Sequence, residues 1–191
     1  PAAPEMKIVS FTGQIQIKMP DGSIVGVVPG AAVPNIPAGA EITVVSGEAV
    51  LSAGGTAVEC NAGDALTFSV DAKSGGVEIA TSAGEVTVSV GGTSAAVGTG
   101  DKVEVATNGG KTGINVESGS VAVTSGGQTT EVATGGSVGV ATSQGSGDTT
   151  TTTTTIDSDG DKDIDVTTTV TNTNTTSPTQ DIQSPVSGST P

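Results

Sequence analysis

Five aspartates at alternate positions near the C-terminus are the residues of this sequence best suited to chemistry. They are Asp157, Asp159, Asp161, Asp163 and Asp165. Closely spaced carboxylate oxygens are the ligands that Ca²⁺ prefers, and Gly160 allows the sharp bend of a calcium-binding loop. We predict that the five aspartates bind calcium weakly and fix this bend. The alternative is an acidic turn that is only solvated.

The match of this segment to known calcium loops is partial. The spacing resembles the start of an EF-hand loop, but the glycine comes too early and no glutamate stands at the closing position. Repeats of the thrombospondin type 3 kind are also similar to it. Calcium is therefore the only cofactor that the sequence suggests.

Two threonine runs flank the aspartates, at residues 149–155 and 166–176. Threonine favours strands, so two runs around an Asp-Gly turn predict a long C-terminal hairpin. Segments rich in Thr and Ser with proline are also typical of disordered or O-glycosylated stalks. We assign residues 148–191 to a Thr/Asp-rich extension, joined by a flexible linker at residues 143–147.

One face of the extension has an alternating row of apolar or β-branched residues. The row consists of Ile164, Val166, Thr168 and Val170. A strand with such a row can dock onto the core of a neighbouring subunit while its backbone completes a hydrogen-bonded ladder. We predict that these four residues form a subunit interface by strand donation. The alternatives are that the N-terminal arm is the donor, or that the tail folds back on its own sheet.

The sequence offers no catalytic constellation, and we predict that the protein is not an enzyme. It contains no His, Tyr, Trp or Arg, so acid–base chemistry would fall to carboxylates and lysines alone. The one cysteine, Cys60, aligns with Val97 and Val132 of the internal repeats. This position favours a small buried side chain over a reactive thiol.

Charge and hydropathy exclude two classes of partner. The net charge is −14, whereas nucleic-acid binding needs a basic surface. No apolar run approaches the roughly 18 residues of a membrane span. The chain begins at Pro1 without an initiator Met, which is typical of a mature secreted product. We therefore expect an extracellular or cell-surface location.

A sequence motif that begins with glycine recurs along the chain. The strands of these repeats must position the aspartates and the apolar row of the extension. Gly47, Gly84 and Gly119 each lead two alternating runs, a second break and a third run, and a looser copy begins at Gly13. These lead glycines lie 34, 37 and 35 residues apart, a period typical of repeat architectures. The four-repeat domain spans residues 12–147, preceded by an arm at residues 1–11 that we expect to add a strand.

The expected fold is all-β, with each repeat contributing a hairpin and a third short strand. Tight glycine turns favour antiparallel pairing, hence a β-sandwich or stacked β array, with a β-solenoid as the second choice. Alternation predicts an inward row in each strand. These rows are Ile15/Ile17, Ala49/Leu51, Val86/Val88, Val121/Val123, Ile42/Val44, Leu66/Phe68, Val103/Val105 and Val138/Val140. The proline-rich insertion at residues 28–39 is expected to be a surface loop or a cover over a sheet edge.

The first two repeats resemble the FecR domain. The resemblance rests on the strand Thr12-Gly13-Gln14-Ile15-Gln16-Ile17, the hairpin turn Asp21-Gly22, and the strand starts marked by Pro29-Gly30 and Ala38-Gly39. The strands that follow these starts in the family pattern would be Ile42-Thr43-Val44 and Ala49-Val50-Leu51. The resemblance covers about residues 7–110 and implies a secreted all-β domain. Iron-uptake regulators of this family use the domain as a periplasmic sensor joined to an anti-sigma segment.

Two functions follow as hypotheses. The first is a structural subunit of an extracellular filament or surface assembly, whose partner is a second copy of the chain. The second is a periplasmic FecR-like sensor or regulatory domain. They differ in self-association, because a subunit polymerises and a sensor is a monomer.

Overall fold

The fold is all-β, as the sequence predicts. The computed structural model describes residues 6–53, 55–71 and 73–173. The strands of the first half are β1 (Lys7–Phe11), β2 (Ile15–Lys18), β3 (Ile24–Val27), β4 (Glu41–Val44), β5 (Glu48–Ala53), β6 (Thr56–Asn61), β7 (Ala65–Val70) and β8 (Val77–Ala83). Those of the second half are β9 (Glu85–Val90), β10 (Thr93–Gly98), β11 (Lys102–Asn108), β12 (Lys111–Ser118), β13 (Ser120–Ser125), β14 (Gln128–Ala133), β15 (Ser137–Gln144), β16 (Thr149–Asp157) and β17 (Val166–Thr173). The described part of the chain has no helix that could cross a membrane.

The strands form two sheets that enclose one core. The seven-stranded sheet has the order β1-β5-β6-β9-β10-β13-β14, and the ten-stranded sheet has the order β17-β16-β15-β12-β11-β8-β7-β4-β2-β3. Every neighbouring pair is antiparallel. This confirms the sandwich or stacked array over the β-solenoid, whose strands would be parallel.

Consecutive hairpins alternate between the two sheets. Hairpins β5–β6, β9–β10 and β13–β14 lie in the seven-stranded sheet, and each is followed by a hairpin of the ten-stranded sheet. A repeat therefore has four strands rather than the predicted three. The fourth strands are β8, β12 and β16, so the first threonine run completes the last repeat.

The predicted inward rows are all buried, which confirms the period-two assignment. Their apolar side chains belong to one cluster that runs the length of the array. Cys60 is buried in the same cluster. Burial, together with the nearby charges of Asp64 and Glu59, raises the pKa of its thiol to about 12. The residue is thus a buried small side chain, as predicted.

The lead glycines of the last three repeats, Gly47, Gly84 and Gly119, mark the corners where the chain crosses from the ten-stranded to the seven-stranded sheet. Gly84 has φ +72° and Gly119 has φ +87°, a region that favours glycine. A Cβ at either position would collide with the carboxylate of Asp64 or Asp101, respectively. Asp101 accepts hydrogen bonds from the N–H of Gly98 at 3.0 Å and from the N–H of Ser120 at 3.4 Å. The carboxylates therefore link successive corners.

The first repeat departs from this pattern. Its hairpin β2–β3 lies in the ten-stranded sheet, whereas the corresponding hairpins of later repeats lie in the other sheet. Residues 7–11 of the N-terminal arm form β1, the strand expected there, and this strand pairs with β5. The proline-rich insertion covers this end, because Ile36 forms a bridge with Met6 and both side chains are fully buried.

Candidate functional site

The candidate site is the end of the array that holds the predicted calcium and interface residues. We define this C-terminal end as β14, β16, the acidic loop at residues 158–165, and β17. Among the described residues, β14 is the last strand of the seven-stranded sheet and β17 is the last strand of the ten-stranded sheet. Each therefore has one side without a strand partner in the described part of the chain.

Three of the five predicted aspartates come together. Carboxylate oxygens of Asp157, Asp159 and Asp165 all lie within 4.8 Å of one another, so the group could hold a metal ion. Asp157 is buried and closes the loop, since its carboxylate accepts hydrogen bonds from the N–H of Gly160 at 2.7 Å and of Lys162 at 3.0 Å.

The other two aspartates serve the turn. The N–H of Asp161 donates to Asp159 at 3.1 Å, and the N–H of Asp163 donates to Asp161 at 2.8 Å. Neither Asp161 nor Asp163 belongs to the three-carboxylate group. The carboxylates of Asp157, Asp159 and Asp165 therefore converge, whereas Asp161 and Asp163 are exposed and take part only in the local turn.

Asp165 is held by Ser158 across the loop. Its carboxylate accepts hydrogen bonds from the hydroxyl of Ser158 at 2.5 Å and from the backbone N–H of Ser158 at 2.8 Å. These two bonds, the hydroxyl first, lower the pKa of Asp165 below its ordinary value of 3.8. The carboxylate is therefore ionised, as a calcium ligand must be.

The acidic loop takes the position that a fourth corner from the ten-stranded to the seven-stranded sheet would occupy. Ser158 accepts a hydrogen bond through its carbonyl from the N–H of Ala133, at 2.9 Å, and so contacts the end of β14. Gly160 lies against Gly135, where an added Cβ would be 2.9 Å from the carbonyl group. Instead of entering the seven-stranded sheet as a new hairpin, the chain turns back and forms β17.

The predicted interface row lies on and beside β17. Val166, Thr168 and Val170 face inward and pair with Ile156, Thr154 and Thr152 of β16. Ile164 precedes the strand and is 55% exposed. Residues 149–173 therefore fold back on their own sheet, one of the arrangements left open by the sequence, and form the predicted hairpin. The rest of the predicted extension, residues 174–191, lies outside the described residues.

The predicted linker at residues 143–147 consists of the last two residues of β15 and most of the turn that leads into β16. Ser143 pairs with Thr151, Gln144 pairs with Thr150, and the N–H of Gly145 donates to the carbonyl of Thr149 at 2.7 Å. The predicted flexible linker is therefore a tight connection between β15 and β16. Its Ser/Gly composition suits either structure.

Exposed large apolar side chains cluster at the two ends of the array. Within the described residues they are Val9 in the N-terminal arm, Ile24, Val28, Val33 and Val45 in the first repeat, and Ile164 and Val170 at the C-terminal end. The interface predicted from the sequence includes Ile164 and Val170. It does not include Ile24, whose exposure depends on the position of β3 at the edge of the sheet. The described residues between 46 and 163 contribute none.

The two ends also differ in charge. Residues 6–46, the described part of the first-repeat end up to and including Val45, contain two lysines, one aspartate and one glutamate, a net charge of 0. Residues 148–173 contain six aspartates and one lysine, a net charge of −5. An approach of unlike ends is therefore favoured over an approach of two C-terminal ends.

A second acidic cluster lies on the outer face of the ten-stranded sheet. It brings together Asp71, Glu78 and Glu117. Lys102 lies within 3.3 Å of Glu78 and within 3.1 Å of Glu117, and these carboxylates raise its pKa. Because a lysine already partners two of the three carboxylates, we interpret this cluster as a surface ion-pair network.

No protein-family model matches this chain, and neither the curated proteins nor the solved structures compared with it gave a significant match. The resemblance to the FecR domain stays a prediction. The functional argument therefore depends on the geometry of the array and its ends.

Proposed function

We propose that this protein is a structural subunit that assembles head to tail into an extracellular filament or surface assembly. The observation that carries the proposal is the confinement of exposed large apolar residues to the two ends of the array. Exposed apolar groups gathered at particular surfaces mark interaction sites. The partner is a second copy of this chain.

Charge supports the head-to-tail arrangement. Two C-terminal ends, each of net charge −5, repel each other, whereas a C-terminal end meets no such repulsion from a first-repeat end of net charge 0. A contact between two different surfaces need not close into a ring, so repeated addition gives an open chain of subunits. Extended β-sheet pairing supplies the joint, with the segment that carries Ile164, Val166, Thr168 and Val170 at the interface.

The assembly is tested by multi-angle light scattering on the full chain over a range of concentrations. We expect the parent protein to grow in mass with concentration, while Ile24→Asp and Val170→Asp, which place a charge on one end each, stay monomeric. Thr107→Asp places the same charge on an exposed position between the ends and should assemble like the parent. A parent protein that is monomeric at every concentration would contradict the proposal and favour the FecR-like sensor.

We further propose that Asp157, Asp159 and Asp165 bind calcium, with Asp161 and Asp163 completing the charge of the loop. Ca²⁺ takes six to eight oxygen ligands and prefers carboxylates, and three carboxylates already converge here. Bound calcium would make the net charge of the C-terminal end less negative and would fix the conformation of the loop that precedes β17.

Titration calorimetry with calcium chloride tests this part. The paired variant Asp159→Asn/Asp165→Asn should lose the binding heat. Asp161→Asn/Asp163→Asn makes the same charge change in the same loop and should keep it. Equal heats from the two variants, or an absence of heat from the parent protein, would exclude the proposed ligand set.

A further inference from the structure

We infer that the joint between subunits is made by the ten-stranded sheet alone, through antiparallel pairing of β17 of one copy with β3 of the next. This inference rests on the head-to-tail assembly proposed above and names the strands that carry it. Within the described residues, the two sheets end in four edge strands, β1 and β14 of one sheet and β3 and β17 of the other. Three independent features distinguish them.

The first feature is strand direction. All neighbours in the ten-stranded sheet are antiparallel, so its first and last strands run in opposite directions. Copies stacked in the same orientation then bring β17 and β3 together as an antiparallel pair. The seven-stranded sheet has an odd number of strands, so β14 and the next β1 would run parallel, a slightly less stable pairing.

The second feature is the protection of each edge. Proteins discourage edge pairing with charged residues, bulges and covering segments. β1 carries Lys7 and an irregularity between Ile8 and Ser10. β14 carries Glu131, and its last N–H already donates to the loop at Ser158. β3 and β17 contain neither a charged residue nor a proline.

The third feature is the direction of the free backbone groups. Backbone groups of alternate residues point to opposite sides of an antiparallel strand. Since the carbonyl of Ser23 accepts from the N–H of Met19, the groups of Ile24 and Gly26 point away from β2. By the same alternation from the bond between Gly145 and Thr149, the groups of Thr167, Thr169 and Thr171 point away from β16.

Pairing of these edges also continues the side-chain rows. Val25 and Val27 lie on the inner face of β3, opposite Ile17 and Ile15 of β2. In the joint they extend the inner row of β17, where Val170 is still 36% exposed. Ile24, which is 60% exposed on the outer face of β3, would lie beside the outward threonines of β17.

Proline substitutions at the edges test the joint, because an edge strand tolerates proline where its N–H faces solvent. Thr169→Pro removes one N–H from the free side of β17, and Thr169→Val keeps it. Gly26→Pro makes the equivalent change in β3, where an added Cβ meets only Gln14 Nε2 at 3.9 Å. Glu131→Pro blocks β14 instead, and Glu131→Ala controls for its charge. Thermal melting verifies that each full-length variant is folded.

We expect Thr169→Pro and Gly26→Pro to weaken assembly by about tenfold or more in light scattering. Each proline removes one backbone hydrogen bond between the subunits, and its ring keeps the two edge strands apart. Thr169→Val, Glu131→Pro and Glu131→Ala should assemble like the parent protein. Loss of assembly in Glu131→Pro with assembly retained in Thr169→Pro and Gly26→Pro would overturn the inference and leave the proposed function standing. A monomeric parent protein would overturn the proposed function itself, and with it this joint.

Discussion

The hydroxyl oxygens of Thr93 and Thr154 lie 2.8 Å apart between the two sheets. The hydroxyl of Ser125 donates to Thr154 at 3.0 Å and accepts from Thr93 at 3.3 Å, and all three side chains are buried. Buried hydroxyls need such partners, because an unpaired one costs free energy. The first threonine run therefore contributes Thr154 to the core, while its other threonines are half-buried.

We expect Thr154→Val to lower the free energy of unfolding by about 1 kcal/mol, since valine keeps the shape but removes one hydroxyl from the cluster. Thr93 and Ser125 retain each other, which limits the loss. Thr153→Val is the matched control on the outward face of the same strand. Urea unfolding monitored by circular dichroism measures both, and equal effects at the two positions would contradict the assigned core role.

The lead glycines provide a second test. Gly119→Ala introduces a Cβ at φ +87° that also collides with the Asp101 carboxylate. Gly127→Ala has a similar φ, +79°, but open space around the new atom. We expect the first substitution to destabilise the fold by about 2 kcal/mol more than the second, because it disrupts the hydrogen bonds of the half-buried Asp101 carboxylate as well as straining the backbone. Similar losses in thermal melting would mean that the corner contact contributes little.

The contact between Ser158 and Asp165 predicts a pH dependence. The pKa of Asp165 is lowered below 3.8, so its contribution to stability is present above that pH. This contribution is lost as the pH falls through the folded-state pKa. Carboxyl-carbon NMR titration of Ser158→Ala should move the pKa of Asp165 back toward 3.8. The pKa of Asp21, which is lowered by its own contact with Ser23, should not change. An unchanged Asp165 would contradict the assigned cause.

Cys60 should react with thiol reagents only when the protein unfolds. Its side chain is buried, and its pKa is raised to about 12, so almost no thiolate is available in the folded state. The control moves the cysteine to the exposed neighbouring position in Glu59→Cys/Cys60→Ala, which should label rapidly. Fast labelling of the parent protein at pH 8 would show that this part of the core opens readily.

The inward rows could be predicted because alternation is a local signal. Val86 and Val88 alternate with polar residues, and a strand with one buried face requires that period. The turns were equally local, since Gly91-Gly92 supplies the positive φ of a tight hairpin. These two signals together were sufficient for the all-β class.

Pairing between distant segments was not predictable in the same way. No local sequence signal shows whether a repeat contains three strands or four. The sequence analysis therefore missed the fourth strand and the alternation of hairpins between the two sheets. Position 84 requires glycine partly because a Cβ there would collide with the carboxylate of Asp64, which lies 20 residues earlier in the sequence. At the candidate site, alternation identified the row on β17, but the convergence of Asp157, Asp159 and Asp165 without Asp161 and Asp163 depends on the fold of the loop.

The central claim, that unlike ends of the array bind each other, is tested most directly by mixing two variants in sedimentation velocity. Ile24→Asp keeps an intact C-terminal end, and Val170→Asp keeps an intact first-repeat end. Each alone should sediment as a monomer of 18.2 kDa, and an equal mixture should form a species of twice that mass and no larger one. A dimer formed by either variant alone, or a mixture that stays monomeric, would contradict head-to-tail assembly.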